Sequence, residues 1–139
     1  MTLQTRSVPP RIAATLLLVV GGMLLLEVAL TRAFDVILNS NLGYLVISSA
    51  VLGIGTAGLY QSIWSTTHER MVQSLPLLTL AFAASTLLLL PIINWIPFDL
   101  NEIGQHPVAQ LVYFSGMYFF LILPFFLSGM FIVRVFSIW

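Results

Sequence analysis

Residues Leu42–Trp64 read LGYLVISSAVLGIGTAGLYQSIW, and this stretch decides the fold class. It carries no charged residue, and a helix of this length, at about 1.5 Å per residue, crosses the roughly 30 Å hydrocarbon core of a bilayer. Ser49, Gly53 and Ala57 recur at every fourth position. On a helix they form one shallow face that another helix can approach closely. The pattern predicts a central membrane helix with neighbours packed against it.

The composition of the whole chain points to the same environment. Of its 139 residues, 59% are hydrophobic and 7% are charged, whereas about 25% are charged in a typical soluble domain. We therefore expect an integral membrane protein, with residues 1–139 forming a single transmembrane domain. The formal net charge is zero, so the chain lacks a basic field for nucleic acid. Cysteine is absent, which excludes disulfides, thiolate metal sites and cysteine nucleophiles.

Long apolar runs separated by short polar segments predict an all-α protein, because the runs are too continuous for the strands of a membrane β-barrel. The four predicted transmembrane helices span about 12–33, 42–64, 72–96 and 108–136. Residues 34–41, with Asn39, Ser40 and Asn41, are expected to form a connection. Residues 68–70 are expected in a tight polar turn, and Pro124 is expected to kink the fourth helix.

The distribution of arginine predicts the orientation of these helices. If the N-terminus is cytoplasmic, Arg6, Arg11, Arg70 and Arg134 lie on the cytoplasmic side and Arg32 lies opposite, in agreement with the positive-inside rule. Both termini are then cytoplasmic, and residues 1–11 form a cytoplasmic segment. Tryptophan lies at the predicted helix ends, at Trp64, Trp95 and Trp139, where its amphipathic ring favours the headgroup region. The expected location is a bacterial inner membrane.

Glu27 is the candidate functional carboxylate inside a predicted span. A charge there is costly unless it is paired, protonated or hydrated. Arg32 is the nearest opposite charge along the chain, and a structural Glu27–Arg32 ion pair is the first interpretation. A polar contact to another helix or subunit, and a place in a proton or ion pathway, are the alternatives.

Seven of the ten phenylalanines lie in the fourth predicted helix, and they surround it rather than forming one stripe. The sequence therefore predicts that some of these rings face lipid, a neighbouring subunit, or the tails of quinone, carotenoid or bacteriochlorophyll. The candidate contact residues are Phe119, Phe120, Phe125 and Phe126. Plain lipid contact needs no further explanation and is the default interpretation.

Two further spacings in the sequence suggest a binding motif, and each has a simpler explanation. Gly53, Gly55 and Gly58 spell G-I-G-T-A-G, a match to the dinucleotide-binding fingerprint, but that motif needs a strand-to-helix turn. Packing glycines in a membrane helix are the expected explanation.

Asp99, Glu102 and His106 are spaced three and four apart, so on one helix they would converge as metal ligands. A solvated loop is the expected explanation for them. Neither a bound metal nor a cofactor of the chain's own is predicted.

Two segments resemble a known family. LLLEVALTRAFDVILNSNLGYLVISSAVLGIGTAGLY (Leu24–Tyr60) and LILPFFLSGMFIVRVFS (Leu121–Ser137) are similar to the membrane region of bacterial fused spermidine-synthase-like proteins. The matching positions are Glu27, Thr31 and Arg32, then Gly53, Gly55 and Gly58, then Pro124, Phe125, Phe126 and Gly129. The resemblance implies a multi-helix membrane module of the kind that precedes an aminopropyltransferase-like domain. The chain carries no part of such an active site, so the resemblance implies no activity for it.

The leading functional expectation is a non-catalytic transmembrane accessory or scaffold subunit within a larger membrane complex, for example a photosynthetic or respiratory one. Its expected partners are other membrane protein subunits and lipids. The alternative is a membrane module of a transporter-like or fused spermidine-synthase-like protein, with Glu27 as an intramembrane functional carboxylate. A lipid or quinone enzyme using Asp99, Glu102 and His106 is a third, weaker interpretation.

Overall fold

The computed structural model of the chain describes residues 9–37, 43–64, 67–99 and 102–138. Its four helices are α1 (Pro10–Ile37), α2 (Gly43–Ile63), α3 (His68–Trp95) and α4 (Pro107–Ile138). Each is long and apolar enough to cross a membrane. The prediction of an all-α chain with four helices of membrane-spanning length is therefore confirmed. The expected turn at Asn39–Asn41 and the last tryptophan, Trp139, lie outside the described residues.

The helix boundaries differ from the predicted ones at two places. α1 continues to Ile37, because Phe34 falls on the same helical stripe as Met23 and Leu30 and is buried with them. Residues 68–70 form the first turn of α3 rather than a separate turn. The first N–H groups of a helix have no partner within it, so a helix can begin in a polar segment where water reaches them. α4 runs through Pro124 without ending, and a kink there stays a prediction.

Neighbouring helices along the chain run in opposite directions. Gly53 of α2 lies against Phe125 of α4, and Ala57 lies one turn further on against Gly129, so α2 and α4 are parallel. Arg134 of α4 contacts Ser74 near the start of α3, so α3 and α4 are antiparallel. The result is an up-down-up-down bundle with short connections.

The central helix of this bundle is α4, and the prediction that α2 would be central is wrong. α4 packs against all three other helices, and 44% of its apolar stretch is buried, compared with 33% for α2 and 11% each for α1 and α3. The reason is the distribution of side chains around each helix. α2 turns its face of small residues to α4 and also contacts α1, so the expected neighbours of α2 are present. α4, however, carries large apolar side chains on every side.

The alternating helix directions place most of the described arginines at one end of the bundle and most of the described acidic residues at the other. One end, which we call the arginine end, carries Arg11, Arg70 and Arg134 with Glu69. The opposite end, the acidic end, carries Asp35, Asp99 and Glu102 with Arg32. In the described residues Arg11, Arg70 and Arg134 thus share one end and Arg32 lies at the other, which is the grouping expected from the sequence, and the cytoplasmic side stays a prediction.

Candidate functional site

The small-residue face of α2 packs on α4, and these two helices share the most extensive helix contact in the described chain. Ser49, Gly53 and Ala57 are buried and face α4. A Cβ added at Gly53 would lie 2.7 Å from Cβ of Phe125 and 2.9 Å from the backbone nitrogen of Phe126. A Cβ added at Gly129 would in turn lie 3.0 Å from Cα of Ile54. Two glycines, one on each helix, therefore let the two backbones meet.

The hydroxyl of Ser49 does not disturb this apolar contact. It donates a hydrogen bond to the carbonyl of Val46 at 2.7 Å within its own helix, and Ser128 of α4 does the same to the carbonyl of Phe125 at 3.0 Å. Both buried hydroxyls are thus satisfied locally. Beside one hydrogen bond between the hydroxyls of Ser48 and Tyr118 at 3.4 Å, α2 and α4 are held by close packing, which is the main attraction between helices in lipid.

The glycines of the G-I-G-T-A-G string all lie inside α2. Gly53 packs on α4, whereas an added Cβ at Gly55 or Gly58 would meet nothing within 4 Å. The strand-to-helix turn that a dinucleotide fingerprint needs is replaced here by continuous helix. The packing interpretation therefore accounts for Gly53 and leaves Gly55 and Gly58 without a structural role.

Glu27 and Arg32 lie on different sides of α1. Five residues correspond to about 140° around a helix at about 3.6 residues per turn, and Glu27 is half-buried while Arg32 is exposed. Within the described residues no ion pair joins them, and their pairing stays a prediction. Glu27 follows the buried Met23 by four residues, so it shares the inward stripe of α1.

The environment of Glu27 contains one hydroxyl of its own helix. Thr31 donates a hydrogen bond to the Glu27 backbone carbonyl at 2.8 Å. The Glu27 carboxylate itself makes no hydrogen bond in the described part of the chain. A carboxylate on the inward stripe of an apolar helix would be stabilised by a further polar partner.

The four aromatic candidates of α4 divide between the core and the surface. Phe125 is fully buried and belongs to the contact with α2, whereas Phe119 is 65% exposed. Phe120 and Phe126 are half-buried, and Phe126 meets the ring of Tyr60 at 6.3 Å between centroids. Phe125 therefore cannot contact lipid or a bound tail, and Phe119 is the ring best placed to do so.

Asp99, Glu102 and His106 lie in the connection between α3 and α4. Among the described residues no group of three or more such side chains is arranged to hold a metal ion. The residue that organises this connection is Gln110, which sequence reasoning missed. It is 3% exposed, its Oε1 accepts a hydrogen bond from the backbone N–H of Asp99 at 3.1 Å, and its Nε2 donates to Glu102 at 3.3 Å.

The Gln110 contacts give the connection a structural explanation. The buried side-chain amide of Gln110 forms hydrogen bonds with the backbone of Asp99 and with the carboxylate of Glu102, so the loop is held against the first turn of α4. The signal in the sequence was a glutamine at the fourth position of an apolar run, a polar group that burial makes costly unless it is bonded.

Two apolar grooves lie between α1 and α3, which run parallel. The first groove has a volume of about 590 Å³ and is lined by Ile12, Thr15, Val72, Leu75, Pro76, Thr79, Leu80, Ala83 and Phe131. The second groove, of about 300 Å³, is lined by Leu26, Ala29, Leu30, Ala33, Thr86, Leu87, Leu89 and Leu90. Between them Phe82 approaches Gly22, where an added Cβ would lie 3.6 Å from the ring. The two helices thus touch at one level and stand apart above and below it.

Two polar side chains at the arginine end have unsatisfied atoms. The Oε1 of Gln61, a residue 9% exposed, and the Nε of Arg134 are buried and have no hydrogen-bond partner among the described residues. Gln61 donates through Nε2 to the sulfur of Met71 at 3.8 Å, and Arg134 donates through Nη1 to Ser74. From the sequence, Arg134 served only to predict the orientation of the helices.

Comparisons with protein-family models, with curated proteins and with solved structures find no match to this chain. The resemblance to fused spermidine-synthase-like proteins therefore stays a prediction. The candidate sites rest on the geometry of the bundle itself.

Proposed function

We propose that the chain is a non-catalytic transmembrane accessory or scaffold subunit that packs against helices of a larger complex in a bacterial inner membrane. One observation carries the proposal: the face formed by α1 and α3 is left open, with two apolar grooves along it. Only 11% of the apolar stretch of either helix is buried within the bundle.

The side chains along this face favour a protein helix as its occupant. Ala29 and Ala33 line one groove from α1, and Thr79 and Ala83 line the other from α3. In lipid, helices associate where small side chains let backbones approach, because lipid tails are as apolar as leucine and add no hydrophobic driving force. Small residues facing an open groove between two parallel helices therefore suit a partner helix lying along both.

The charge separation supports the orientation in this proposal. The arginine end, with Arg11, Arg70 and Arg134, would face the cytoplasm, as positive-inside orientation requires, and both termini would lie there. A photosynthetic or respiratory complex is a suitable host for such a small hydrophobic subunit. Exposed rings such as Phe119 would then contact lipid or the tail of a quinone, carotenoid or bacteriochlorophyll held by the complex.

Replacing Ala83 by Phe tests the open face. The ring would fill the first groove, and we expect the variant to insert normally but to lose its stoichiometric partner, measured by mild-detergent extraction of the native membrane and mass spectrometry of the co-migrating chains. Ala84→Phe is the matched control, since Ala84 is the next residue, is also exposed and lines neither groove. A wild-type chain that migrates alone, or an Ala83→Phe chain that keeps its partner, would contradict the proposal.

The unbonded carboxylate of Glu27 supports a second candidate, the membrane module of a transporter-like or fused spermidine-synthase-like protein. In that case Glu27→Gln abolishes proton or substrate movement in proteoliposomes while the bundle assembles as before. If Glu27 is instead a structural contact, the same variant loses assembly or thermal stability. Arg32→Gln, a change at the exposed neighbour, is the control for loss of charge at this end of α1.

A further inference from the structure

The first groove between α1 and α3 is deep, because its floor is a side chain of α4. Phe131, which is 2% exposed, lines the groove together with residues of α1 and α3. Along α3 the lining runs from Val72 to Ala83, which is about 16 Å at about 1.5 Å per residue. One leaflet contributes about half of the roughly 30 Å hydrocarbon core of a bilayer. The groove is therefore about as long as one leaflet is deep.

The first groove is narrower than a helix. A volume of about 590 Å³ spread over about 16 Å gives a mean cross-section of roughly 37 Å², whereas a helix about 10 Å in diameter covers roughly 80 Å². A partner helix can therefore cover the groove from outside, while the space down to Phe131 suits an occupant as thin as a single hydrocarbon chain.

The two hydroxyl groups that line the first groove are bonded within their own helices. Thr15 donates to the carbonyl of Arg11 at 2.9 Å, and Thr79 donates to the carbonyl of Leu75 at 3.0 Å. Because both donors are used, an apolar occupant leaves neither hydroxyl without a hydrogen bond. The lining of the groove thus favours a hydrocarbon chain.

A cation lies above the groove on α1. Arg11 is exposed and directly precedes Ile12, the first α1 residue of the lining. It lies four residues before Thr15 and eleven before Gly22, close to one and three turns of a helix. Gly22 faces Phe82 of α3, so Arg11 lies on the side of α1 that faces α3.

A carboxylate lies above the groove on α3. Glu69 is exposed and lies seven residues before Pro76 and eleven before Leu80, close to two and three turns. Both of those residues line the groove, so Glu69 shares their side of the helix. In the described part of the chain no ion pair joins Glu69 to Arg11. The mouth of the groove therefore carries two separate charges of opposite sign.

A backbone acceptor lies just below Glu69. Pro76 is inside α3 and has no N–H group, so the carbonyl of Val72 lacks the donor that bonds it in an ordinary helix. Val72 and Pro76 both line the groove. A donor from a ligand would stabilise this carbonyl in apolar surroundings. The mouth thus offers one cation, one carboxylate and one backbone acceptor.

We infer that the first groove binds an acyl chain of a phospholipid whose headgroup carries both a phosphate and a primary ammonium, as phosphatidylethanolamine does. The guanidinium of Arg11 holds the phosphate, and the ammonium donates to Glu69 and to the carbonyl of Val72. The inference goes beyond the proposed function, because the lipid lies beneath a partner helix that covers the face. It requires the chain to lie in a membrane, but the purified chain binds the lipid without a partner.

The test measures lipid binding to the purified full chain in a neutral detergent, with bound lipid counted by native mass spectrometry. Phosphatidylethanolamine and phosphatidylcholine with the same acyl chains are titrated in turn, since methyl groups replace the ammonium N–H donors in phosphatidylcholine. We expect the wild type to bind phosphatidylethanolamine about fivefold more tightly, the upper end for an exposed ion pair. Glu69→Gln should lose this preference, and Arg11→Gln should weaken the binding of both lipids about fivefold.

Two matched controls accompany these variants. Arg70 directly follows Glu69, is also exposed and lies one turn before Ser74, which contacts α4. Arg70→Gln should therefore bind both lipids as the wild type does. Ala83→Phe fills the deep end of the groove and should weaken the binding of both lipids, whereas Ala84→Phe should not. All these positions are exposed, so the variants should keep their helical circular dichroism.

The remaining outcomes are also decisive. Equal binding of the two lipids by the wild type overturns the inference, as does an unchanged preference in Glu69→Gln. Unchanged binding by Ala83→Phe shows that the chain lies elsewhere and also overturns it. Displacement of the lipid by millimolar phosphoethanolamine would show a site for the free headgroup and would overturn the acyl-chain assignment, whereas resistance to it supports that assignment.

Discussion

Replacing Gly53 by Ala is expected to destabilise the folded bundle by about 3 kcal/mol, the upper part of the range for overpacked cores. The added methyl group would lie 2.7 Å from Cβ of Phe125 and 2.9 Å from the backbone nitrogen of Phe126. A backbone atom cannot rotate away, so α2 and α4 must separate along their length. The measurement is the free energy of unfolding in mixed micelles, followed by circular dichroism during titration with a denaturing detergent.

The matched control is Gly55→Ala in the same helix. An added methyl group there meets nothing within 4 Å, and alanine favours a helix over glycine by about 1 kcal/mol. Gly55→Ala should therefore leave the stability unchanged or raise it slightly. If Gly53→Ala and Gly55→Ala unfold alike, the close contact between α2 and α4 is not the main support of this bundle.

Replacing Phe125 by Ala is expected to cost about 2 kcal/mol, while Phe119→Ala costs little. Phe125 is fully buried, whereas Phe119 is 65% exposed. An unfolded membrane chain still lies in lipid, so the transfer of the ring from water contributes little. The loss of stability therefore comes mainly from the cavity that the ring leaves. At about 24 cal/mol per Å³, a cavity on the order of 100 Å³ lowers the free energy of unfolding by about 2 kcal/mol.

The same unfolding titration checks the two phenylalanine variants. A comparable loss of stability in both would mean that α4 does not occupy the centre of the bundle. A loss confined to Phe125→Ala would support the division of the α4 rings into core and surface sets. It would also direct any search for a bound tail to Phe119 rather than to Phe125.

The residues that were hardest to recognise from sequence were polar ones in apolar surroundings. Gln110 is one residue in a run of thirty-two helical positions, and nothing in the run shows that its amide faces the α3–α4 connection. The Glu27–Arg32 pairing, suggested by nearness along the chain, stays a prediction, since five residues separate the two side chains by about 140° around the helix. Neighbours in sequence are neighbours in space only when the helical repeat brings them to one face.

The sequence by itself determined the number of helices, their approximate ends and their suitability for a membrane, because these follow from uninterrupted apolar length. It also identified the small face of α2, since a four-residue repeat of small side chains is visible in one helix alone. The tertiary structure decided that α4 is central, that Phe125 is buried while Phe119 is not, and that α1 and α3 leave grooves between them. When every face of a helix is apolar, its own pattern does not select the buried side, and that choice is made by packing against the other helices.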